Sequence, residues 1–415
     1  MENQAYKVTE NDNKKLGSNN AKGKRVLMLL ENCTYPRDDR VRHEAQTLLH
    51  SGYQVSVISP GNRKQLYREI VDGIDVYRFP LPPNSDGLLG YVWEYFYSML
   101  ALFILSLKVW FTKGFDILHT AQPPDVFVFI ALFFKLFGKC YVLDHHDLAP
   151  ELYNVRFDGE GNNLIHRVLL WFEKLSMNVA DRVISTNQSY KEVALRRGHV
   201  ADERIFIVRN GPDLDELRCQ SEKPIFSNNG KVTIGYVGVT GIQDGLNNLI
   251  RAIYHLVHDF KRKNIKCLIV GDGVAMPIMK SLAEELNVAE YFQYTGWVTK
   301  QSEIVRYLNS MEICVAPEPS DPYNDRSTAA KLMEYMAMAK PIVAFDLPEH
   351  RFTAQNAALY AQKPHDEYDF AKKIAELMDD PARCFEMGQI GKTRVDTILA
   401  WQFQAKNLLK AYEGL

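Results

Sequence analysis

Two series of short strand-like runs, separated by segments of helical length, constrain this chain more than any other feature. The first comprises RVLMLL (25–30), YQVSVISP (53–60), IDVYRFP (74–80), FDILHT (115–120), KCYVLDHHD (139–147) and DRVISTN (181–187). The second comprises KVTIGYVGVTG (231–241), IKCLIVGDG (265–273), FQYTGWV (292–298), EICVAPE (312–318) and PIVAFD (341–346). Runs this apolar and β-branched have no side suited to water, so they belong in parallel sheets covered by helices on both faces. Two tandem, doubly wound α/β domains are expected, and a length of 415 residues exceeds what one hydrophobic core usually fills. The polar stretch PDLDELRCQSEKPIFSNNGK (212–231) reads as the linker. The expected division is a disordered tail at 1–24, an N-terminal domain at 25–215, a C-terminal domain at 216–399, and a helix at 400–415 packing back on the N-terminal domain.

Composition excludes several classes. A formal net charge of -2 gives no basic excess for binding nucleic acid. Six cysteines lie far apart without a C-x-x-C pair, so neither a zinc site nor a disulfide framework is expected, and a reducing cytoplasm fits. One segment, YVWEYFYSMLALFILSLKVWF (91–111), complicates this reading. Its uncharged run lies only between Glu94 and Lys108, short of the ~20 residues of a bilayer span. It reads as a helix buried on a sheet or as one that touches a membrane surface with its aromatic residues. DVFVFIALFFKLFGK (125–139) has the same character.

Four stretches carry chemistry. VGVTGIQDG (237–245) stands between a strand and a helix, where Gly238 and Gly241 either let backbone amides approach an anion or simply allow a tight turn. LDHHDLAPELY (143–153) puts His145, His146 and Asp147 at the carboxyl edge of a sheet, as ligand contacts, proton-transfer groups or structural histidines; the two histidines point apart on an extended chain, which disfavours a metal. VRNGPDLDEL (208–217) holds Asp213 and Asp215 at D-x-D spacing, but NGPD reads as a turn. In STAAKLMEYMAMAKPIVAFD (327–346), Ser327 or Thr328 reads as a helix cap. Lys331 and Glu334 share a face, and the apolar neighbours place Glu334 toward a polar cavity.

Taken in order, HHDLAPE, VRNGPD, YVGVTGIQDG, LIVGDG and KLMEYMAMAKPIVA resemble glycosyltransferase family 4. The resemblance implies the GT-B fold, two Rossmann-like domains facing a cleft. It also implies retaining transfer of a sugar from a nucleotide diphosphate sugar (a UDP- or GDP-sugar), with neither metal nor cofactor. On the matching positions, Glu334 would hold the ribose, His146 would lie near the donor sugar, Gly238, Val239 and Gly241 would lie beneath the diphosphate, and Asn210, Gly211 and Asp213 match the family's N-G-x-D loop, with Asn210 on the donor side. The chain departs from the family pattern at Arg326, where the first glutamate of E-x7-E stands, and at Val239 and Asp244, where the loop usually has Arg and Lys. It resembles a branch carrying S-x-x-K-x-x-E-Y-M, in which Lys331, Arg326 and the amides at Ser327 and Thr328 would meet the diphosphate. Arg37, Arg40 and Asp147 would lie on the acceptor side. A lipid-linked or growing glycan of cell-envelope or exopolysaccharide assembly is the expected acceptor, with the protein peripheral at the inner face of the membrane. A nucleotide-sugar epimerase, a phosphorylase or a catalytically silent binding protein are the alternatives.

Overall fold

The computed structural model describes residues 23–62, 64–81, 87–157, 161–218, 225, 230–362 and 366–415. The expected tail lies outside them except for Gly23 and Lys24, as does most of 219–229. Two compact units form, one from the N-terminus to Pro150 with Gly161–Val208 and Gln404–Leu415, the other from Glu151–Glu160 and Arg209–Phe403. The division falls after Val208 rather than after residue 215, which leaves the NGPD turn in the second unit.

The first unit is built on β1 (Arg25–Leu29), β2 (Gln54–Gly61), β3 (Arg68–Val71), β4 (Ile74–Pro80), β5 (Ile117–Gln122), β6 (Cys140–His145), β7 (Arg182–Ser185) and β8 (Ile205–Ile207). Their order is β3-β4-β2-β1-β5-β6-β7-β8, parallel throughout except that β3 runs antiparallel to β4. Neither β3 nor β8 announces itself as a long apolar run. For β3 the signal was the Asp72-Gly73 pair: both residues adopt positive φ, 49° and 84°, as a two-residue hairpin turn requires. The chain winds outward from β1 through β2 and β4, then returns to β5 on the other side of β1. The order therefore reverses between β1 and β5, the crevice where ligands of such sheets bind.

The second unit contains β9 (Val232–Val237), β10 (Ile265–Val270), β11 (Phe292–Tyr294), β12 (Ile313–Ala316), β13 (Ile342–Phe345) and β14 (Ala358–Ala361), ordered β11-β10-β9-β12-β13-β14 and all parallel. Here the reversal lies between β9 and β12. Helix Leu246–His258 shows how the layers close: Leu246, Leu249, Ile250, Ile253 and Val257 repeat at helical spacing and are buried against the sheet.

The aromatic segment forms a helix over Gly87–Thr112. Leu102, Leu105 and Val109 enter the first unit's core, while Trp93, Phe96, Ile104 and Phe111 remain exposed, Phe111 by 77%. Its Trp93–Thr112 part is long and apolar enough, by length and composition, to cross a membrane, because the helix continues through the charges that seemed to shorten it. Neighbouring helices extend the exposed surface: Trp110 meets Phe137 at 4.8 Å, and Phe129 meets Phe172 at 5.7 Å.

Candidate active site

At the second unit's reversal point, β9 ends one residue before Gly238 and β12 ends two residues before Glu318. Lys331 projects between them from helix Ala330–Ala337. Its Nζ donates to the Tyr236 hydroxyl at 3.0 Å, pairs closely with Glu318 Oε1, and lies 3.7 Å from Asp244 Oδ1. Burial opposes charge on this lysine, yet Glu318, Tyr236 and Asp244 outweigh it and hold the pKa well above the ordinary lysine value. Burial likewise pushes Glu318 up, but Lys331 and then His350, 3.9 Å away, bring it below the usual value. Burial raises the Asp244 pKa despite Lys331. Two carboxylates therefore face one buried cation.

The glycine loop is shaped around that lysine. Gly238 has φ 150°, and a Cβ there would stand 3.3 Å from Lys331 Cε. Gly271 of VGDG, at φ 133°, passes so close that a Cβ would lie 2.0 Å from the Gly238 carbonyl oxygen. VGDG thus supports the loop from below. The Tyr236 hydroxyl donates to the Val239 carbonyl at 2.7 Å, and the Gly241 amide donates to Asp244 at 2.8 Å. The Val239 side chain is left 54% exposed.

Helix Ala330–Ala337 buries Leu332, Met333, Tyr335 and Met336, which turns Lys331 and Glu334 to its less buried face. Tyr335 accepts from the Val237 amide at 2.9 Å and so ties the helix to the end of β9. Ala329, rather than Ser327 or Thr328, occupies the cap position of this helix and gives it no side-chain cap hydrogen bond. Thr328 is engaged instead with Glu349 and Arg209, each at 3.4 Å. Ser327 closes the preceding turn through its amide to the Tyr323 carbonyl, at 3.0 Å. Arg326 donates to the Pro322 carbonyl of its own loop, at 2.7 Å. Asn210 and Gly211 lie in a loop packed on residues 399–401, where a Gly211 Cβ would stand 2.0 Å from the Leu399 oxygen. Asp213 accepts from the Asp215 and Glu216 amides at 2.9 and 3.3 Å, so the D-x-D is a turn.

In the first unit His145 and His146 face different carboxylates. His145 is buried with Nε2 3.4 Å from Glu173 Oε1. His146 pairs through Nε2 with Asp144 Oδ2, which overcomes burial and raises its pKa. Arg40 was expected on the acceptor side but is 7% exposed: it clamps Asp144 at 2.9 and 2.6 Å and donates to the Val208 carbonyl at 2.8 Å. Aliphatic neighbours on helix Asp39–His50 carry its guanidinium inward, a position that one isolated arginine in a charged run does not advertise. Arg37 is exposed and Asp147 half-buried. Glu44, Asp144 and His146 bring ligand atoms within 4.8 Å of one another, but the Arg40 guanidinium, 3.4 Å from Glu44 and 2.6 Å from Asp144, supplies the positive charge there.

The sequence reading overlooked Glu318 and Glu31. Both follow an inner strand at its carboxyl end, a positional signal available from EICVAPE and RVLMLLE. Burial raises the Glu31 pKa, a hydrogen bond to Ser98 opposing it.

The solved structures that this chain resembles are GT-B proteins. Sucrose-phosphate synthase from Thermosynechococcus elongatus has a TM-score of 0.75 at 17% identity, over 94% of this chain and 98% of that one. Anabaena HepE in complex with UDP-glucose has a TM-score of 0.69 at 13% identity, over 94% of this chain and 100% of that one. The fold is thus GT-B. Residues 40–216 match the family model described as Glycosyltransferase Family 4, and residues 231–380 match Glycosyl transferases group 1. The chain belongs to this glycosyltransferase family. A curated relative, D-inositol 3-phosphate glycosyltransferase of Thermobispora bispora, is 21% identical over 280 residues, 64% of this chain and 63% of the relative's own length.

Proposed function

We propose that the chain transfers a sugar from a nucleotide diphosphate sugar to an acceptor hydroxyl, with retention at the anomeric carbon and without a metal. The observation supporting this most directly is Lys331, a buried cation set against Gly238 at the reversal point of the second sheet. Charge developing on the leaving diphosphate would be met by Lys331 and by the first-turn amides of helix Ala330–Ala337. Glu334, one turn along the same helix, is assigned to the ribose and His146 to the donor sugar. The leaving phosphate takes the acceptor proton, so no separate base is required. The UDP-glucose bound to the Anabaena neighbour favours a uridine donor.

The exposed aromatic helix supports a membrane-associated acceptor, a lipid-linked glycan of envelope or exopolysaccharide assembly, with the protein peripheral at the cytoplasmic face. A second reading, a silent nucleotide-sugar-binding protein, is favoured by one observation: Asp244 stands where a diphosphate would want a cation, 3.7 Å from Lys331.

Calorimetry with UDP, GDP, dTDP and uridine tests the donor site. Glu334→Gln is expected to weaken UDP and uridine alike. Lys331→Met in a Glu318→Gln background, which removes the buried pair together, is expected to weaken UDP and spare uridine. UDP affinity unchanged in both overturns the assignment. Release of free glucose from UDP-glucose without acceptor counts against the silent reading.

A further inference from the structure

The charge cluster around Asp144 extends to the last helix of the chain, Trp401–Tyr412. His119, fully buried on β5, has its Nδ1 2.6 Å from the Tyr412 hydroxyl. Its Nε2 faces Glu44 Oε2 at 3.3 Å and Asp144 Oδ2 at 3.8 Å. Tyr412 lies nearly parallel to the His119 ring and is held edge-on by Tyr53, with ring centroids 5.6 Å apart. Arg40 and Glu44 reach the cluster from helix Asp39–His50, with Asp38 at its cap; Asp144 comes from β6 and His146 from the residues after it. Asp144 Oδ2 is shared by Arg40 Nε and His146 Nε2.

Burying this many ionisable groups carries a desolvation cost that their mutual pairing must offset, whereas apolar residues of like volume would fill the core without it. Three side chains, Arg40, His119 and His146, converge on one carboxylate oxygen of Asp144, and that oxygen orients the partly accessible histidine of the set. We propose that Tyr412 and His119 are positioning residues for His146, the phenol fixing the His119 ring and His119 sharing the carboxylates that aim the His146 imidazole. The use made of His146 rests on the glycosyltransferase reading, whereas the coupling belongs to the free chain.

The direction of the effect follows from the hydrogen bonds. Burial opposes the charge on His119, but Asp144 and Glu44 outweigh it and push its pKa to about 9. In that imidazolium both nitrogens carry hydrogen: Nδ1–H donates to the phenol, and Nε2–H stands in ion-pair range of Glu44 at 3.3 Å. Replacing Tyr412 by Phe removes the acceptor for Nδ1–H and disfavours the cation. With less positive charge beside Asp144 and Glu44, His146 holds its proton more tightly.

The experiment is histidine-selective carbon NMR of the full chain, without nucleotide, with the His146 signal assigned by its loss in His146→Gln. Tyr412→Phe is expected to raise the His146 titration midpoint by about 0.5 to 1 pH unit, the size of one altered neighbouring charge. His119→Gln should raise it too, and adding Tyr412→Phe to His119→Gln should add nothing further. An unchanged midpoint in either single variant, or fully additive shifts, overturns the proposal. The unaltered chain gives a readout that needs no variant: His119 and His146 must titrate as a coupled pair, each signal bending where the other titrates, and independent single-step curves also overturn the proposal. Coupling without sugar transfer would remove the reaction and leave the relay, whereas transfer without coupling would remove only the relay.

Discussion

Lys331 Nζ donates a 3.0 Å hydrogen bond to the Tyr236 hydroxyl while standing 4.4 Å from the centre of the same ring. One aromatic side chain thus contacts the ammonium through both its oxygen and its π-face, and Glu318 completes the pairing. The lysine is held in place before any ligand arrives.

Removing one member of this pair should therefore cost more than removing both. Lys331→Met leaves the buried Glu318 carboxylate without its cation and is expected to cost about 3–5 kcal/mol of unfolding free energy, whereas Lys331→Met with Glu318→Gln costs less. Urea denaturation of the four-member cycle measures this. Glu318 titrates below its ordinary value, so its contribution is complete above the unfolded-state carboxylate range and is lost as pH falls through the depressed folded value. The Glu318→Gln chain should show a shallower loss of stability in acid.

Asp244 opposes a second anion at the same lysine. Asp244→Asn keeps an acceptor for the Gly241 amide and deletes the charge, so UDP should bind about 3- to 10-fold more tightly at low salt. Weaker binding in calorimetry would assign Asp244 to the ligand instead.

Asp125 in the first unit is raised to about 7, chiefly by burial and next by Glu173. A carboxyl raised in the folded state contributes stability below its unfolded value that is lost as pH rises through the folded one. Chemical denaturation should show stability falling between about pH 4 and 7, and Asp125→Asn should flatten that decline.

The exposed aromatic helix makes a separate prediction. Trp93→Ser, Phe96→Ser and Phe111→Ser each remove a side chain worth about 1.5–3 kcal/mol on burial in an apolar phase. The triple variant should fold normally yet lose flotation with anionic vesicles. Retained flotation would place the membrane contact elsewhere.

The alternation of apolar runs and helices was enough to read both sheets, because a strand buried on both faces has no choice of composition. The short edges were harder. β14 is four residues of ALYA, and its small side chains carry little strand preference by themselves. At the site, Lys331 and Glu334 were legible because Leu332, Met333, Tyr335 and Met336 leave them one shared face. Glu318 was not, since a proline-rich loop after a strand gives no periodicity, and only tertiary packing brings its carboxylate to the lysine. The burial of Arg40 was hidden for the opposite reason: a charged run suggests solvent, and it is Asp144, 104 residues away, that draws its guanidinium inward.

The membership of Gln404–Leu415 in the first unit has a consequence for biosynthesis. Domains are generally completed in the order in which they leave the ribosome. Here the opening half of the polypeptide emerges long before helix Trp401–Tyr412, which carries the phenol beside His119. Every strand of the second unit is thus synthesised before the first unit receives this helix. Truncation just before Tyr412 would spare every strand named above and still leave His119 without that hydroxyl.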